Sequence, residues 1–359
     1  MRVLIVTGSS GGHIFPALAL IDRLKTSGAD VLLVLPKNEN DSKILFVSGQ
    51  VKYIHAVNLS FKLNSKNIKG IYFFLVGAWE GLRAIIQFKP DVVVGFGSLH
   101  TVALLFWAWL FRIKTVIHEQ NVIPGRANRL LAKFVDKVAV SFTQTNNYLK
   151  VSRERIIFTG NPVRDSLVKL GRKEALDFFN FKEGKFNILI TGGSQGSHRL
   201  NTVCSAALSG FYKKNDLQLV HISGAQDFTF LKDAYAQAGI AHKLFDFFPD
   251  MQYAYSLADL VICRAGATTI AELQRYSLPA LLIPYPFAYA HQLSNAMVLG
   301  DSGAARVIRD EELSVGKLRE SIQGLLDAPQ KLKAMRQAYV PNQITDAAGL
   351  LANEVLNLN

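Results

Sequence analysis

The sequence predicts an α/β protein of two domains, each built on a parallel β-sheet. Short apolar runs alternate along the chain with stretches of helical spacing, a pattern typical of parallel sheets. The length of 359 residues is more than one domain usually has. A strand, a Thr-Gly pair and a Gly/Ser-rich loop occur twice, at Val3–His13 (VLIVTGSSGGH) and Ile188–His198 (ILITGGSQGSH). This pairing indicates that the architecture begins again in the second half.

The first strand and the first helix are joined by a glycine-rich loop. Arg2–Val6 is an apolar, β-branched run, and Leu18, Ile21 and Leu24 then recur at helical spacing until Gly28. Glycines let a ligand approach the backbone, and the first amides of a helix, at the positive end of its dipole, favour an anion. The loop is therefore predicted to bind a phosphate-bearing ligand.

The other strands are predicted from similar apolar runs. In the first half these lie at Val31–Pro36, Asp91–Gly97, Thr115–Asn121 and Lys137–Phe142. In the second half they follow Phe186 as FNILIT, LQLVHISG, DLVICRAG and PALLIPYP. The polar stretch TGNPVRDSLVKLGRKEA is predicted to link the domains. We expect domains at 1–163 and 164–335, with 336–359 as a C-terminal helix that returns to the first domain.

The composition indicates which kinds of partner and which cellular compartment to expect. Lys and Arg total 40 against 28 for Asp and Glu, a formal net charge of +12, which favours anionic partners such as phosphates, acidic lipid or nucleic acid. Cys204 and Cys263 have no metal-ligand spacing, so a reducing compartment is expected. The apolar run Val102–Phe111 is shorter than the roughly 20 residues that span a bilayer. The N-terminal apolar run is too short for a signal peptide, so we expect a cytoplasmic protein.

Glycine-rich loops also occur in dinucleotide-binding domains, P-loop proteins and serine hydrolases. The glycines fit neither the G-x-G-x-x-G spacing of dinucleotide-binding domains nor a P-loop. A serine hydrolase is the alternative from another class, because Gly8–Gly12 and Gly192–Gly196 both match the nucleophile elbow G-x-S-x-G. Two elbows in one chain would be unusual, whereas two anion-binding loops are expected in two similar domains.

A third loop carries an acidic residue. After the run DLVICR, Gly266 ends the loop, Thr268 or Thr269 opens a helix, and Glu272 lies about one turn further on. Amides at this position suit a diphosphate and a carboxylate suits a ribose diol. A capping box between Thr269 and Glu272 explains the spacing equally well, so both interpretations stay open.

Six segments taken together resemble the bacterial glycosyltransferases of family 28. They are GSSGGHIFPAL, VIHEQNVIPGRANRLLA, TGNPVR, GGSQGSHRLN, ADLVICRAGATTIAE and AHQLSNA, in the family's order. The resemblance implies a GT-B fold, with two Rossmann-like domains facing each other across a cleft. It also implies an inverting transfer of N-acetylglucosamine from its UDP-sugar to the lipid-linked N-acetylmuramyl-pentapeptide of peptidoglycan synthesis.

The resemblance assigns roles to particular residues. It makes His13 the candidate catalytic base. The substrate-binding residues it implies are Ser10, Gly11 and Gly12 near the donor sugar or the acceptor, Asn121 and Gln292 at the sugar, Arg164 and Ser194 at the phosphates, Phe248 at the uracil, Ala267, Thr268, Thr269, Ile270 and Ala271 as a turn supplying amides, and Glu272 at the ribose. No cofactor is expected, and no Asp-x-Asp cluster for a metal ion occurs. His118 is expected to be a packed, hydrogen-bonded histidine.

The acceptor side departs from the family. Its second glycine loop usually reads GGY, whereas this chain has Gly97-Ser98-Leu99-His100. A related UDP-sugar transferase with another lipid or sugar acceptor, or a non-catalytic nucleotide-binding relative, therefore stays open. Two aromatic stretches next to basic residues, Lys69–Ile85 and Phe106–Phe111, suit an anionic membrane surface, although either could be a core helix. We expect a peripheral protein on the cytoplasmic face of the membrane, without a nucleic-acid partner.

Overall fold

A computed structural model describes residues 1–8, 10–37, 50–56, 65–287, 291–339, 344 and 346–358, with backbone only for 65–69. The chain forms two compact units, Met1–Asp165 with Asp346–Asn359, and Ser166–Thr345. The second unit thus continues past the expected limit at 335. It does so because Tyr339 is buried and its hydroxyl donates to the Leu278 carbonyl, 2.7 Å away. The segment that belongs to the first unit is correspondingly shorter than 336–359.

The first unit contains a parallel sheet of seven strands in the order β3-β2-β1-β4-β5-β6-β7. The strands are β1 (Arg2–Val6), β2 (Asp30–Pro36), β3 (Gln50–Ile54), β4 (Val92–Gly95), β5 (Lys114–Glu119), β6 (Lys137–Val140) and β7 (Ile156–Phe158). Apart from the exposed Arg2, the residues of the central strands β1 and β4 are non-polar and buried, because both faces of a parallel sheet are covered. The sequence did not predict β3 and β7, the two edge strands.

Helices cover both faces of this sheet. They are α1 (Gly11–Thr26), α2 (Ser65–Phe88), α3 (Leu99–Leu110), α4 (Arg126–Leu131) and, from the end of the chain, α13 (Ala347–Leu356). Side chains alternate along β1, so Val3 and Ile5 pack with α1 and α13, whereas Leu4 and Val6 pack on the α3 side. Arg23 of α1 bonds to both Asp165 and Asp346, 3.3 and 3.1 Å away. These ion pairs hold the returning segment beside the end of the first unit.

Helix α2 is long and apolar, and it is packed along one side. By length and composition, Gly70–Phe88 could cross a membrane, and it is the one helix among the described residues that could. A side chain at Gly77 would collide with the backbone of His55, and one at Gly81 would collide with Leu104 of α3. The helix therefore lies tightly on its neighbours by that face. Its opposite face is exposed.

The second unit repeats the architecture with six parallel strands in the order β10-β9-β8-β11-β12-β13. The strands are β8 (Phe186–Thr191), β9 (Leu217–Ile222), β10 (Ala241–Phe245), β11 (Leu260–Cys263), β12 (Ala280–Leu282) and β13 (Ala305–Val307). The helices are α5 (Arg172–Phe179), α6 (His198–Ser209), α7 (Phe228–Ala238), α8 (Met251–Leu257), α9 (Ala267–Tyr276), α10 (His291–Asp301), α11 (Val315–Leu326) and α12 (Pro329–Gln337). The edge strands β10 and β13 were again not predicted.

Candidate functional site

Each sheet has one point where the strand order reverses. In the first unit this point lies between β1 and β4, and in the second between β8 and β11. Ligands of open α/β sheets bind beyond the carboxyl ends of the strands at such a point, because the two crossovers leave in opposite directions and open a crevice. The glycine loops singled out in the sequence all lie there. They follow β1, β4, β8 and β11.

His13 lies between the two glycine loops of the first unit. It is in the first turn of α1, and its Nδ1 is 3.0 Å from the hydroxyl of Ser10, the N-cap residue. A Cβ added to Gly8 would lie 2.8 Å from Nδ1, and one added to Gly97 would lie 3.2 Å from Nε2. The ring therefore needs the space that these glycines leave. Gly97 also has φ +88°, a conformation that favours glycine.

The imidazole of His13 is held neutral. Burial, followed by the charge of nearby His100, lowers the pKa of His13 to about 4. Near neutral pH the ring is therefore unprotonated and can accept a proton. The Ser10 hydroxyl can accept from Nδ1–H, which leaves Nε2, the nitrogen facing Gly97, as the basic atom.

The second loop differs from the family pattern but is firmly held. Ser98 has φ 84°, where glycine is the usual residue, and its hydroxyl lies 2.7 Å from Nδ1 of His100. Nε2 of His100 is 2.8 Å from the Thr7 carbonyl, which can only accept, so Nε2 carries the hydrogen and Nδ1 accepts from Ser98. Burial lowers the pKa of His100, despite this bond to Thr7. His100 thus joins the second loop to the first.

The geometry does not assemble a hydrolase triad. Ser10 and His13 are hydrogen-bonded, but a triad histidine is oriented by a carboxylate on its other nitrogen. Among the residues described, no carboxylate is seen bonded to His13. Ser9 lies outside the described residues. Ser194, the centre of the other elbow, is exposed, and the histidine nearest in sequence, His198, bonds instead to Asp227 at 2.8 Å.

A buried carboxylate that the sequence analysis missed organises the loop after β5. Glu119 accepts from the main-chain amides of Asn121 and Gly125 and from the side-chain amides of Asn121 and Asn128, at 2.8–3.2 Å. The pKa of Glu119 is raised, because burial outweighs the opposing effect of these hydrogen bonds. Asn121, an expected sugar contact, is therefore fixed by Glu119. The signal in the sequence was an acid at the carboxyl end of a predicted buried strand. His118 was predicted correctly, since it is buried with Nε2 3.0 Å from the Gly160 carbonyl.

The TGNPVR segment closes the first unit with two polar residues. The guanidinium of Arg164 stacks on Phe15, with Cζ 4.4 Å from the ring centre. Within the described part of the chain, the buried Nε of Arg164 and both amide atoms of Asn161 show no hydrogen-bond partner. Buried polar atoms of this kind are costly, so they are candidates for contact with a ligand. Asn161 was not predicted.

In the second unit, the loop after β8 leads into α6. Gly193 and Gly196 have φ of +89° and +75°, and a side chain at Gly196 would collide with the Ser223 carbonyl. The loop therefore requires these glycines, and it directs Ser194 to the surface. The N-cap residue is Ser197. The first amides of α6 point out of the helix beside it, where an anion is favoured.

Arg264, also missed from the sequence, connects the two loops of this unit. It is buried directly after β11 and donates to the Ser197 hydroxyl at 2.8 Å and to Asp310 at 2.6 Å. It also donates to the carbonyl of Ile283. These bonds satisfy its charge and fix the start of α6 relative to β12.

The start of α9 excludes the capping box. The N-cap residue is Gly266, so Thr269 is the third residue inside the helix and Glu272 is the sixth. A capping box needs the Thr at the N-cap, so that interpretation was wrong. Glu272 is 8% exposed and accepts a hydrogen bond from the Tyr255 hydroxyl at 2.7 Å.

The expectation of five amides from this turn is also too broad. The Ile270 amide bonds to the Gly266 carbonyl inside the helix, at 2.9 Å, and Ala271 lies beyond it. Only the first turn, Ala267, Thr268 and Thr269, directs its amides out of the helix.

The remaining residues expected to bind substrate differ in which of their groups can contact a ligand. Gln292 accepts from the amides of Ala265 and Tyr285 at 3.1 and 2.9 Å, so its Oε1 faces the main chain. Phe248 is buried, with its ring 4.5 Å from that of Phe245. The Phe248 side chain is thus part of an aromatic cluster after β10. Gly11 and Gly12 form the first turn of α1 beside His13.

Comparisons with known proteins agree with this fold. A sequence model of the Glycosyltransferase family 28 N-terminal domain matches residues 3–140, and one of the family's C-terminal domain matches 187–351. A Halothermothrix orenii protein is 36% identical over 351 residues, covering 94% of both chains. One from Thermodesulfovibrio yellowstonii is 36% identical over 343 residues, covering 94% of this chain and 93% of its own. Both are named UDP-N-acetylglucosamine--N-acetylmuramyl-(pentapeptide) pyrophosphoryl-undecaprenol N-acetylglucosamine transferase.

Solved structures of other proteins share the fold of this chain. The crystal structure of Acinetobacter baumannii MurG matches with a TM-score of 0.76 and 27% identity over 99% of each chain. The S. aureus MnaA–UDP structure, at 14% identity, shares the fold with a TM-score of 0.73 over 100% of this chain and 97% of its own.

Two Rossmann-like units with parallel sheets, each with glycine loops at its switch point, place the chain in the GT-B class of folds. The chain belongs to glycosyltransferase family 28. The resemblance noted in the sequence, and the fold class it implied, are confirmed.

Proposed function

We propose that this enzyme transfers N-acetylglucosamine, with inversion, from UDP-N-acetylglucosamine to a lipid-linked N-acetylmuramyl-pentapeptide, in peptidoglycan synthesis. The observation that carries the proposal is the position of His13, whose ring lies against Gly8 and Gly97 at the switch point of the first unit. The names of the relatives, which match nearly the whole chain, support the same donor and acceptor.

His13 is proposed as the general base. Its Nε2 accepts the proton of the acceptor hydroxyl while the hydroxyl oxygen attacks the anomeric carbon of the donor. The bond from that carbon to the diphosphate oxygen breaks, and UDP leaves with the bonding electron pair. Ser10 accepts from Nδ1–H and holds the ring in the reactive tautomer. A pKa near 4 keeps the ring unprotonated, although it makes the base weak until a bound substrate changes its surroundings.

The donor is proposed to bind at the second unit. Main-chain amides at the starts of α6 and α9, with Ser194, balance the charge of the diphosphate. Glu272, fixed by Tyr255, accepts from the ribose hydroxyls. Gln292, whose Oε1 faces the main chain, presents its amide nitrogen to the sugar. From the first unit, Arg164 is proposed to contact the diphosphate and Asn121 the sugar. Because the ring of Phe248 is buried in the aromatic cluster, Phe248 is proposed to contact the uracil through its main chain.

Attachment to an anionic membrane, on its cytoplasmic face, is proposed through α2 and α3. Tyr72, Leu75 and Trp79 of α2 and Phe106 and Trp109 of α3 are large, apolar and exposed. Such residues insert at a lipid interface, and the net charge of +12 favours acidic headgroups.

A turnover panel tests the proposal. UDP release should require both UDP-N-acetylglucosamine and the lipid-linked muramyl-pentapeptide, and His13→Ala should lower kcat by about 10²- to 10⁴-fold with little change in the KM for the donor. Asn146→Ala, on the exposed 3₁₀ turn Thr143–Tyr148, is the control that should keep full activity. Turnover with a different acceptor alone would favour the related transferase. Loss of activity on reaction with a fluorophosphonate would favour the hydrolase.

A further inference from the structure

The first unit contains an apolar pocket that the transfer mechanism does not use. Its volume is about 430 Å³, and all of the residues that line it are apolar. Helix α2 contributes Phe74 and Ala78, α3 contributes Val102, Phe106 and Trp109, and the turn after α4 contributes further walls. Pockets of this size hold small ligands. Because the surface of the lining is almost entirely apolar, a hydrocarbon ligand suits it best.

The walls are fixed in place, so the pocket is built into the fold. The indole nitrogen of Trp107 donates to the Ala78 carbonyl, 3.1 Å away, and joins α3 to α2. Gly81 of α2 lies directly against Leu104 of α3, where a side chain would not fit. The ring of Trp109 packs edge-on against Phe134, with centroids 5.7 Å apart. These contacts hold three helical segments around the space.

The position of the pocket indicates which hydrocarbon it takes. Helix α3 begins directly after the loop of Gly97 and Ser98, against which the ring of His13 lies. At about 1.5 Å per residue, the pocket-lining part of α3, Val102 to Trp109, lies roughly 5–15 Å along the axis from that loop. A lipid whose phosphate head is at the loop can therefore extend its chain along α3 into the pocket.

We propose that this pocket binds the first part of the acceptor's own polyprenyl chain, as a single chain withdrawn from the bilayer. The proposal rests on the proposed lipid-linked acceptor. It differs from the membrane contact of α2, because Leu75 and Trp79 lie outside the pocket lining, whereas Phe106 and Trp109 of α3 belong to both the membrane contact and the pocket. The pocket would select the acceptor by its chain, in addition to the sugar and peptide.

Two pocket-filling variants and one matched control test this. Ala78→Leu and Val102→Phe place carbon atoms in the space from two different helices, so one remains informative if the other fails to fold. Trp79→Ala, at the neighbouring position of α2, removes a side chain that is 61% exposed and does not line the pocket.

Direct binding is measured on the full chain by calorimetry with farnesyl phosphate below its micelle concentration, with inorganic phosphate as the chainless probe. Each buried methylene group strengthens binding by about fourfold, so displacing two or more should weaken farnesyl phosphate binding by at least about 10-fold. Inorganic phosphate should be unaffected. Trp79→Ala should keep farnesyl phosphate binding and lose affinity for vesicles of phosphatidylglycerol.

Turnover separates this proposal from the proposed function. Both pocket variants should raise the KM for a farnesyl-linked acceptor and leave the KM for the donor unchanged. If no acceptor is turned over, yet the variants still weaken farnesyl phosphate binding, the proposed function fails and the chain site stands. If farnesyl phosphate does not bind, or if the variants reduce only vesicle binding, the pocket is part of the bilayer contact and the inference is wrong.

Discussion

Replacing Gly97 by alanine tests whether the space between the glycine loops is needed for catalysis. Gly97 has φ +88°, and an added Cβ would lie 3.2 Å from Nε2 of His13. Gly28, after α1, has a similar φ of +78° but no atom within 4 Å of an added Cβ. Both Gly→Ala variants therefore share the cost of a left-handed alanine, about 1–2 kcal/mol. Only Gly97→Ala also displaces His13.

The two variants should separate stability from turnover. Each should lower the melting temperature by a few degrees, at about 2–4 °C per kcal/mol for domains of this size. Gly97→Ala should also lower kcat by about 10- to 100-fold, because a displacement of a few tenths of an ångström to 1 Å misaligns a catalytic group. Gly28→Ala should keep kcat within about twofold. Thermal unfolding and UDP release measure the two effects. If Gly97→Ala has the same kcat as Gly28→Ala, the reasoning about His13 is refuted.

Three further results are expected. Glu272→Gln should weaken binding of UDP by about 10-fold in calorimetry, since a carboxylate acceptor for the ribose is lost. Tyr255→Phe removes only the hydroxyl that holds Glu272 and should weaken UDP binding less. Equal affinity in the unmodified protein and both variants would contradict the ribose contact. Glu119→Gln should lower the free energy of unfolding by at least about 2 kcal/mol, because its carboxylate accepts from several buried amides. Chemical denaturation measures this free energy, and an unchanged value would show that other contacts hold the loop. Burial lowers the pKa of His118 to about 4 and that of His221 to about 3, so the unfolded chain binds more protons below about pH 6.5. Each of these two histidines should therefore lower the stability of its unit by about 2 kcal/mol between pH 7 and pH 5, and His13 should add to the loss in the first unit. Denaturation midpoints that stay constant over this range would argue against neutral buried histidines.

The sequence predicted the central strands and missed the edge strands, and partial exposure explains this for β3 and β10, whereas β7 is an apolar run of only three residues. Strands such as β1, β4, β8 and β11 are covered on both faces, so they are continuous apolar runs that can be recognised in isolation. An edge strand is partly exposed. β3 contains Lys52 and the exposed Tyr53, and β10 contains His242 and Lys243, so their sequences resemble loops. Their pairing with a neighbouring strand decides their conformation.

The residues of the candidate site also divide into those that the sequence predicted and those that it missed. The glycine loops could be predicted because backbone conformation and close approach restrict their sequence. Arg264 was missed because its role depends on groups distant in the chain, such as Asp310, 46 residues beyond it. The partners of Glu119 are local, at Asn121, Gly125 and Asn128, but only the folded loop turns their amides toward the carboxylate. The capping box was wrong because the helix start is set by Gly266, where the loop leaves β11, and the spacing of Thr269 and Glu272 cannot show this.

By itself, the sequence determined the family, the two-domain α/β architecture and the loops that suit phosphate, because apolar runs and glycine positions are local constraints. The tertiary structure alone decided that Gly8 and Gly97 meet around His13, that the ring stays neutral, and that α2 and α3 enclose an apolar pocket. These properties arise where strands β1 and β4 become neighbours, although some 85 residues separate them, and burial and electrostatics act through space.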